Sequence, residues 1–472
     1  MNPTFRTPLA RAIPWLRNLL LTGAALCAPL HPWAASTDLA SSPLETSTAT
    51  LVKPNILFIL DDSGSMSYPY LPDWAGNYSS TAKLYNNPKF NGIYYDPAVT
   101  YTPPLKYDGS SYASMTSANT SSWTKVPVDG FGVESSSTAN LSGTLTYYVS
   151  IPGEYCTAPN LKTCATQSAA TASYPYPAYL RWCTTSALTT CQARYIETAP
   201  TNGSTYTYPR YPTAALTSGS VPGSIQTVTI SSSTTSYAYP GTTTRATTRT
   251  DCAGTTCTLT EERTNYANWY AYYHTRAQMM KTAASLAMID LGTSYRLGYM
   301  SINNNTGSDF LDIADITTTS GGQKSKFYAK LFAAKPNSST PLRTALDTAG
   351  LYFAGKKTSI NGVSASDPMQ YACQRNYTLL STDGYWNETA SPVKIDGTAI
   401  GNTDGSESRP YYDGNSQSNT LADIAEYFYA TDIRSSAFNN TTNRSTGVDV
   451  SSNSFANGQQ RMYTYTLGLG AS

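Results

Sequence analysis

Five apolar residues in a row, Ile56-Leu-Phe-Ile-Leu60, run straight into Asp61-Asp-Ser-Gly-Ser-Met66. An unbroken apolar run of this length, with no polar alternation, predicts a strand covered on both faces, as in the parallel sheets of α/β proteins. Open α/β sheets place their ligands just outside the carboxyl ends of such strands. What stands there is a short oxygen-rich loop, Asp61-x-Ser63-x-Ser65. Oxygen donors without His or Cys select a hard cation such as Mg²⁺ or Ca²⁺. One motif thus predicts both a fold class and a metal.

Regular patterning resumes only near Asn265. Tyr266 to Leu291 has no Pro or Gly and reads as one long helix, with Gly292 as its stop. Tyr295–Ile302 reads as a strand and Lys324–Ala334 as a helix. A third helix runs from Leu342 to about Tyr352, with Pro341 at its first turn. Asn376–Ser381 reads as a buried strand, Thr420–Asp432 as a helix and Met462–Leu469 as a strand. Strands alternating with helices predict a doubly wound, mostly parallel α/β sheet of Rossmann type. The first strand lies about 200 residues from the rest. The domain is therefore expected to be discontinuous, residues 52–66 plus 264–472, with 67–263 inserted at its ligand-bearing edge, where function tends to accumulate.

The inserted stretch has its own chemistry. Between Glu134 and Thr250 only nine of 117 residues are charged, while Tyr, Ser, Thr, Gly and Pro abound. Disordered tails are usually charged and poor in aromatics. The segment therefore reads as an irregular, β-rich module with flexible Ser/Thr stretches, the alternative on composition being a long low-complexity linker. Its cysteines fall close together as Cys156/Cys164, Cys183/Cys191 and Cys252/Cys257, with Cys373 alone. Six cysteines allow 15 pairings, and neighbour pairing is the simplest. With no C-x-x-C, disulfides in an oxidising compartment are expected rather than zinc.

The amino terminus fits that compartment. Arg6, Arg11 and Arg17 precede an apolar core from about Leu19 to Leu30 and then Ala34-Ala35-Ser36. This is the pattern of a signal peptide over residues 1–36, followed by a linker over 37–51. The core is shorter than the roughly 20 residues a membrane span needs, so no integral span is expected. Removing 1–36 takes three Arg and no acid, leaving 28 Lys+Arg against 30 Asp+Glu. No basic footprint for nucleic acid is present.

Two later pieces sharpen the metal expectation. Ser339-Thr340-Pro341 puts a hydroxyl before a helix, and Ser381-Thr382-Asp383-Gly384 puts a carboxylate after a buried strand. Asp61, Ser63, Ser65, Thr340 and Asp383 together resemble the metal-ion-dependent adhesion site of von Willebrand factor A domains. By that resemblance the three hydroxyls and two carboxylates hold a divalent cation, Mg²⁺ foremost, with Mn²⁺ or Ca²⁺ as alternatives, directly or through water. Neutral Ser and Thr donors leave such an ion electrophilic toward a partner's carboxylate. This is binding chemistry, and no enzyme activity is expected. Asp62 is read as a solvated residue or a loop hydrogen-bonder, not a ligand.

Three enzymatic patterns compete less well. An aspartic protease needs two Asp-Ser/Thr-Gly loops sharing a proton, and Thr382-Asp383-Gly384 is inverted. Gly350 to Lys356 approaches a phosphate-binding loop, but Lys357 replaces the needed Ser/Thr and a helix precedes it. A histidine triad would need His274, expected mid-helix among aromatics.

A nearer resemblance runs through Asn91-Gly-Ile-Tyr-Tyr-Asp-Pro97, Asn265-Tyr-Ala-Asn-Trp-Tyr-Ala-Tyr-Tyr273, Phe310–Ile316, Cys373-Gln-Arg-Asn-Tyr377, Thr420–Asp423 and Gly468-Leu-Gly470. These are similar to segments of the PilC/PilY family of type IV pilus tip-associated adhesins and assembly factors. The resemblance implies export to the periplasm, the outer surface or the pilus tip. It implies minor pilins and a surface or host ligand as partners. Such proteins usually continue into a β-propeller with its own calcium site, and no role resting on the propeller is assigned to these 472 residues. Two functions are carried forward: a metal-dependent adhesin, and a structural tip scaffold whose metal only stabilises the fold.

Overall fold

The apolar run does become a strand with both faces covered. In the computed structural model β1, Asn55–Leu60, is buried at every residue but Ile56. Alternate side chains of a strand point to opposite faces, and here both faces meet apolar partners. Leu57 and Ile59 pack into one core, Phe58 and Leu60 into another. The structure describes residues 52–159, 161, 163–179, 181–185, 191–192, 208–210, 224–389, 391–405, 416–451 and 459–469. The chain divides into two units, Met1–Leu51 and Val52–Ser472. The expected signal peptide and linker lie outside the described residues.

Around β1 stand β2 (Arg296–Ser301), β3 (Phe310–Asp315), β4 (Asn376–Thr382) and β5 (Met462–Gly468), in the order β3-β2-β1-β4-β5. All neighbours run parallel except β3, which is antiparallel to β2 at one edge. β1 pairs with β2 from Asn55↔Arg296 to Leu60↔Ser301, and with β4 from Asn55↔Asn376 to Ile59↔Leu380. The fold is thus α/β with a mostly parallel central sheet. The edge strand β3 was not among the expected elements.

Among the described residues five helices accompany the sheet: α1 (Leu259–Tyr272), α2 (Arg276–Met288), α3 (Gln323–Ala333), α4 (Leu342–Phe353) and α5 (Leu421–Ala430). Leu342, Leu346 and Phe353 of α4 and Ile424 and Phe428 of α5 join Leu57 and Ile59 on one face. There α4 approaches α5 closely: a Cβ on Gly350 would lie 2.3 Å from the Phe428 ring. Met280 and Ala284 of α2 and Phe327 and Leu331 of α3 join Phe58 and Leu60 on the other face.

The expected single helix over 266–291 is in fact two. Thr275 is extended (φ −114°, ψ 162°), its hydroxyl accepts from the Gln278 N–H, and the Gln278 side chain accepts from the Thr275 N–H. This reciprocal capping box starts a new helix despite the lack of Pro or Gly. The sequence signal, Thr275-Arg-Ala-Gln278, was present but outweighed by apolar spacing. His274 therefore sits in the break, stacked on Tyr270 with ring centroids 4.7 Å apart.

The described residues between 67 and 258 build several small antiparallel sheets. Leu145–Ile151 pairs with Ser224–Ile230, and Glu154–Cys156 with both Cys164–Thr166 and Tyr176–Pro177. Their core is rich in aromatic residues and is shared with α1: Tyr94, Tyr95, Tyr101, Tyr147 and Tyr237 pack with Tyr266, Trp269 and Tyr272. Cys156–Cys164 and Cys252–Cys257 are disulfides, as neighbour pairing predicts. Cys183 and Cys191 are register partners across a ladder, but their side chains lie outside the described residues. Cys373 is free and exposed.

Candidate metal centre

Parallel pairing sets the geometry. Because β1 and β4 run side by side in register, their carboxyl ends deliver Asp61 and Thr382-Asp383 to the same edge of the sheet. The chain after β1 turns through a short 3₁₀ segment, Gly64–Ser67. The Ser63 N–H donates to Asp61 Oδ1 at 2.8 Å and the Thr382 hydroxyl donates to Asp61 Oδ2 at 2.8 Å. Ser63 Oγ lies 3.1 Å from Ser65 Oγ, and Ser65 Oγ donates to Asp383 Oδ1 at 2.9 Å. Four of the five expected residues are therefore linked, by short hydrogen bonds, across 322 positions of sequence.

Thr340 reaches the same edge by another route. The loop preceding α4 docks on the Asp62–Gly64 turn: the Gly64 N–H donates to Ser338 O at 3.0 Å and the Asn337 N–H to Asp62 O at 2.8 Å. Thr340 is buried in that loop, its N–H donating to Asn387 Oδ1 at 2.6 Å. Its hydroxyl stands outside the chain of hydrogen bonds joining the other four.

Burial is what makes the cluster electrostatically tense. Asp61, Ser63 and Asp383 are all at most 5% exposed. The Asp61 carboxyl is pushed above its ordinary value, first by burial and then by the negative charge of Asp383, against the pull of hydrogen bonds from Ser63 and Thr382. Two facing carboxylates in a dry setting, with hydroxyl oxygens between them, fit a divalent cation, whose charge relieves that repulsion. Among the described residues no three or more His, Cys, Asp or Glu side chains are grouped so that they could hold a metal ion. Any ion here therefore relies on neutral hydroxyls beside two carboxylates, as the motif requires.

Of the two expectations for Asp62, the loop hydrogen-bonder holds and the solvated residue does not, because the side chain is buried. It accepts from the Asn303 N–H at 2.9 Å and the Asn305 amide at 3.0 Å, and burial pushes its carboxyl up to about 7. The phosphate-loop look-alike ends α4: Gly355 has φ +69° just past the helix, and Lys356 Nζ donates to Phe438 O at 2.6 Å. A glycine in that left-handed conformation is a helix stop, not a phosphate cradle.

Sequence reasoning missed two members of the neighbourhood. Thr382 stands in the sequence beside Asp383 with no role of its own, yet its hydroxyl fixes Asp61. Its place at the end of a buried strand was the available signal. Arg276, the first residue of α2, donates through Nη1 to Asp383 Oδ2 at 2.8 Å. Nothing local in the sequence marks it, because its partner lies 107 residues away.

Against this geometry stand the known relatives. Over 95% of its length the chain is 28% identical to a Pseudomonas aeruginosa PAO1 protein named type IV pilus biogenesis factor PilY1. It is 29% identical over 95% to the protein of the same name from strain PAK, and 27% identical over 86% to that from strain UCBPP-PA14. The likeness to the PilC/PilY family read from scattered motifs is thereby borne out along nearly the whole chain. The chain spans about a third of the length of these relatives. No family model and no solved structure matches it. Among the described residues, no helix is long and apolar enough to cross a membrane.

Proposed function

We propose that this chain is an exported type IV pilus biogenesis factor and tip-associated adhesin whose sheet is a von Willebrand factor A-like domain. Its metal-ion-dependent adhesion site comprises Asp61, Ser63, Ser65, Thr340 and Asp383. The observation that carries the reading is the hydrogen-bonded chain from Asp61 through Ser63 and Ser65 to Asp383 at the carboxyl edge of the central strand. The loop before α4 docking on the Asp62–Gly64 turn also supports it, since it brings Thr340 to the same edge. A divalent ion, Mg²⁺ foremost, would supply an electrophilic point for a partner's carboxylate. The residues themselves hold and orient: Thr382 and the Ser63 N–H fix Asp61, while Ser65 fixes Asp383. No catalytic step is assigned.

Disulfides in the inserted region suit an oxidising setting such as the periplasm or cell surface. Partners would be minor pilins or the pilus tip and a surface or host ligand bearing a carboxylate. The relatives' name speaks of pilus biogenesis, which favours a second reading, a scaffold docked on minor pilins with the metal only stabilising the fold. An Asp61→Ala strain separates the two. Intact piliation with lost adhesion supports the first, whereas lost piliation with adhesion per pilus unchanged supports the second. In calorimetry the same substitution should weaken Mn²⁺ binding at least about tenfold. Unchanged affinity removes the metal from both readings.

A further inference from the structure

Arg276 sits where a cation is least expected. It opens α2, and the amino end of a helix carries partial positive charge that favours anions. It is also completely buried, and a buried guanidinium is costly unless its donors are matched by charge. Its surroundings explain the choice. Nη1 donates to Asp383 Oδ2 at 2.8 Å, Nη2 to Asp73 Oδ1 at 2.6 Å, and Nε to Tyr70 O at 2.8 Å. The Arg276 N–H donates to Tyr68 O at 3.2 Å. The Tyr68 and Tyr70 rings stack on each other, centroids 5.0 Å apart, and lie 5.4 and 5.5 Å from the guanidinium carbon.

The two acidic partners are not equal. The Asp73 side chain is 65% exposed while that of Asp383 is 2% exposed, so water screens the first and not the second. Arg276 thus spends its charge mainly on the site, and its backbone and π contacts on the strap 67–77 that leaves the Asp61-x-Ser63-x-Ser65 loop.

We propose that Arg276 is a built-in counter-cation of the candidate metal centre: it competes with a divalent ion for Asp383 and ties occupancy of the centre to the strap through Tyr68, Tyr70 and Asp73. The inference rests on the metal-binding reading above. Two carboxylates and a divalent ion sum to zero charge. With the guanidinium beside them the occupied centre keeps one positive charge, which draws an anionic group such as a carboxylate. The empty centre in turn does not collapse under the repulsion of Asp61 and Asp383, because Arg276 stands in. Coupling of this kind is reciprocal: an ion that weakens the Arg276–Asp383 pair loosens the strap, and a tightly held strap disfavours the ion.

The test is Mn²⁺ titration by calorimetry of the wild-type chain, Arg276→Met and Arg276→Lys, with chymotryptic cleavage after Tyr70, whose next residue is Leu71, followed in the wild type with and without Mn²⁺. An opposite charge at this distance is worth roughly ten- to a thousandfold in a carboxylate's affinity for a cation. Arg276→Met should therefore tighten Mn²⁺ at least about tenfold, and Arg276→Lys should stay near the wild type. Saturating Mn²⁺ should speed cleavage of the wild-type strap, a readout that does not depend on any variant folding. A wild type that binds no Mn²⁺ overturns the metal site and this role together. A wild type that binds, with unchanged or weaker affinity in Arg276→Met or with strap cleavage indifferent to Mn²⁺, overturns the counter-cation role alone.

Discussion

The sheet and the inserted region solve the same packing problem with different atoms. Around β1 the core is largely aliphatic: Leu57, Ile59, Leu342, Leu346 and Ile424 on one face, with Met280, Leu297 and Leu331 among those on the other. In the inserted region the core is tyrosine, and each buried ring brings a hydroxyl that must find a partner. The Tyr95 and Tyr147 hydroxyls both donate to Glu262 Oε1, at 2.8 and 2.9 Å, and Arg249 holds Glu262 Oε2 at 2.8 Å. Trp269 donates to Ile93 O at 2.8 Å and Tyr272 to Ala113 O at 2.9 Å. An aliphatic core depends on volume. A tyrosine core depends on a few fixed polar partners, so single polar deletions should hurt it most.

That contrast can be broken at its hub. Glu262→Ala takes one of two carboxylate partners from the fully buried Arg249, which keeps Asp251, and leaves two buried tyrosine hydroxyls without their acceptor; at roughly 1–3 kcal/mol for each stranded group it should destabilise by about 3–5 kcal/mol. Urea unfolding followed by near-ultraviolet circular dichroism measures it. The sheet's counterpart is Leu57→Ala, which removes volume and no polar atom from a site with no exposure, for about 3 kcal/mol. If Glu262→Ala were the milder of the two, the contrast would fail.

A smaller effect should come from the covalent link. Opening Cys252–Cys257, five residues apart, with a double Cys→Ser variant should cost about 2 kcal/mol by the loop-entropy argument. A drop in melting temperature specific to the inserted region's aromatic signal would match it. The smallest effect at neutral pH, growing only in acid, is a pH dependence at the junction of the two regions. Burial between Tyr270 and Trp269 pushes His274 down to about 4, below its unfolded value of about 6.5. The contribution is then intact above pH about 6.5 and lost as pH falls toward 4, because the unfolded chain takes the proton first. His274→Asn should flatten the stability profile in that window; an unchanged slope would place the titration elsewhere.

How much was legible follows the same division. The unbroken run Ile56–Leu60 announces a doubly covered strand because its neighbours on both faces are aliphatic. Asp61, Ser63 and Ser65 are legible because they are contiguous, and Thr340 and Asp383 because helix starts and strand ends have local signatures. The strand Phe310–Asp315 was not legible, since an edge strand tolerates Asp312 and Asp315 and shows no clean apolar pattern. The break at Thr275 hid behind good helical spacing. Arg276 could not be found at all, because a long-range ion pair leaves no periodicity in the chain. The Arg249–Glu262–Tyr95–Tyr147 hub was hidden for the same reason: Tyr-rich composition announces aromatic area but not which hydroxyl meets which carboxylate.

The central claim is that side-chain oxygens from three separate stretches of chain surround one divalent ion. Anomalous diffraction from crystals grown with Mn²⁺ tests it most directly. The account predicts a single strong manganese peak in the space bounded by Asp61, Ser63, Ser65, Thr340 and Asp383, absent in Asp61→Ala crystals. A saturated crystal with no peak there, or with its peak away from Ser63 and Ser65, would contradict it.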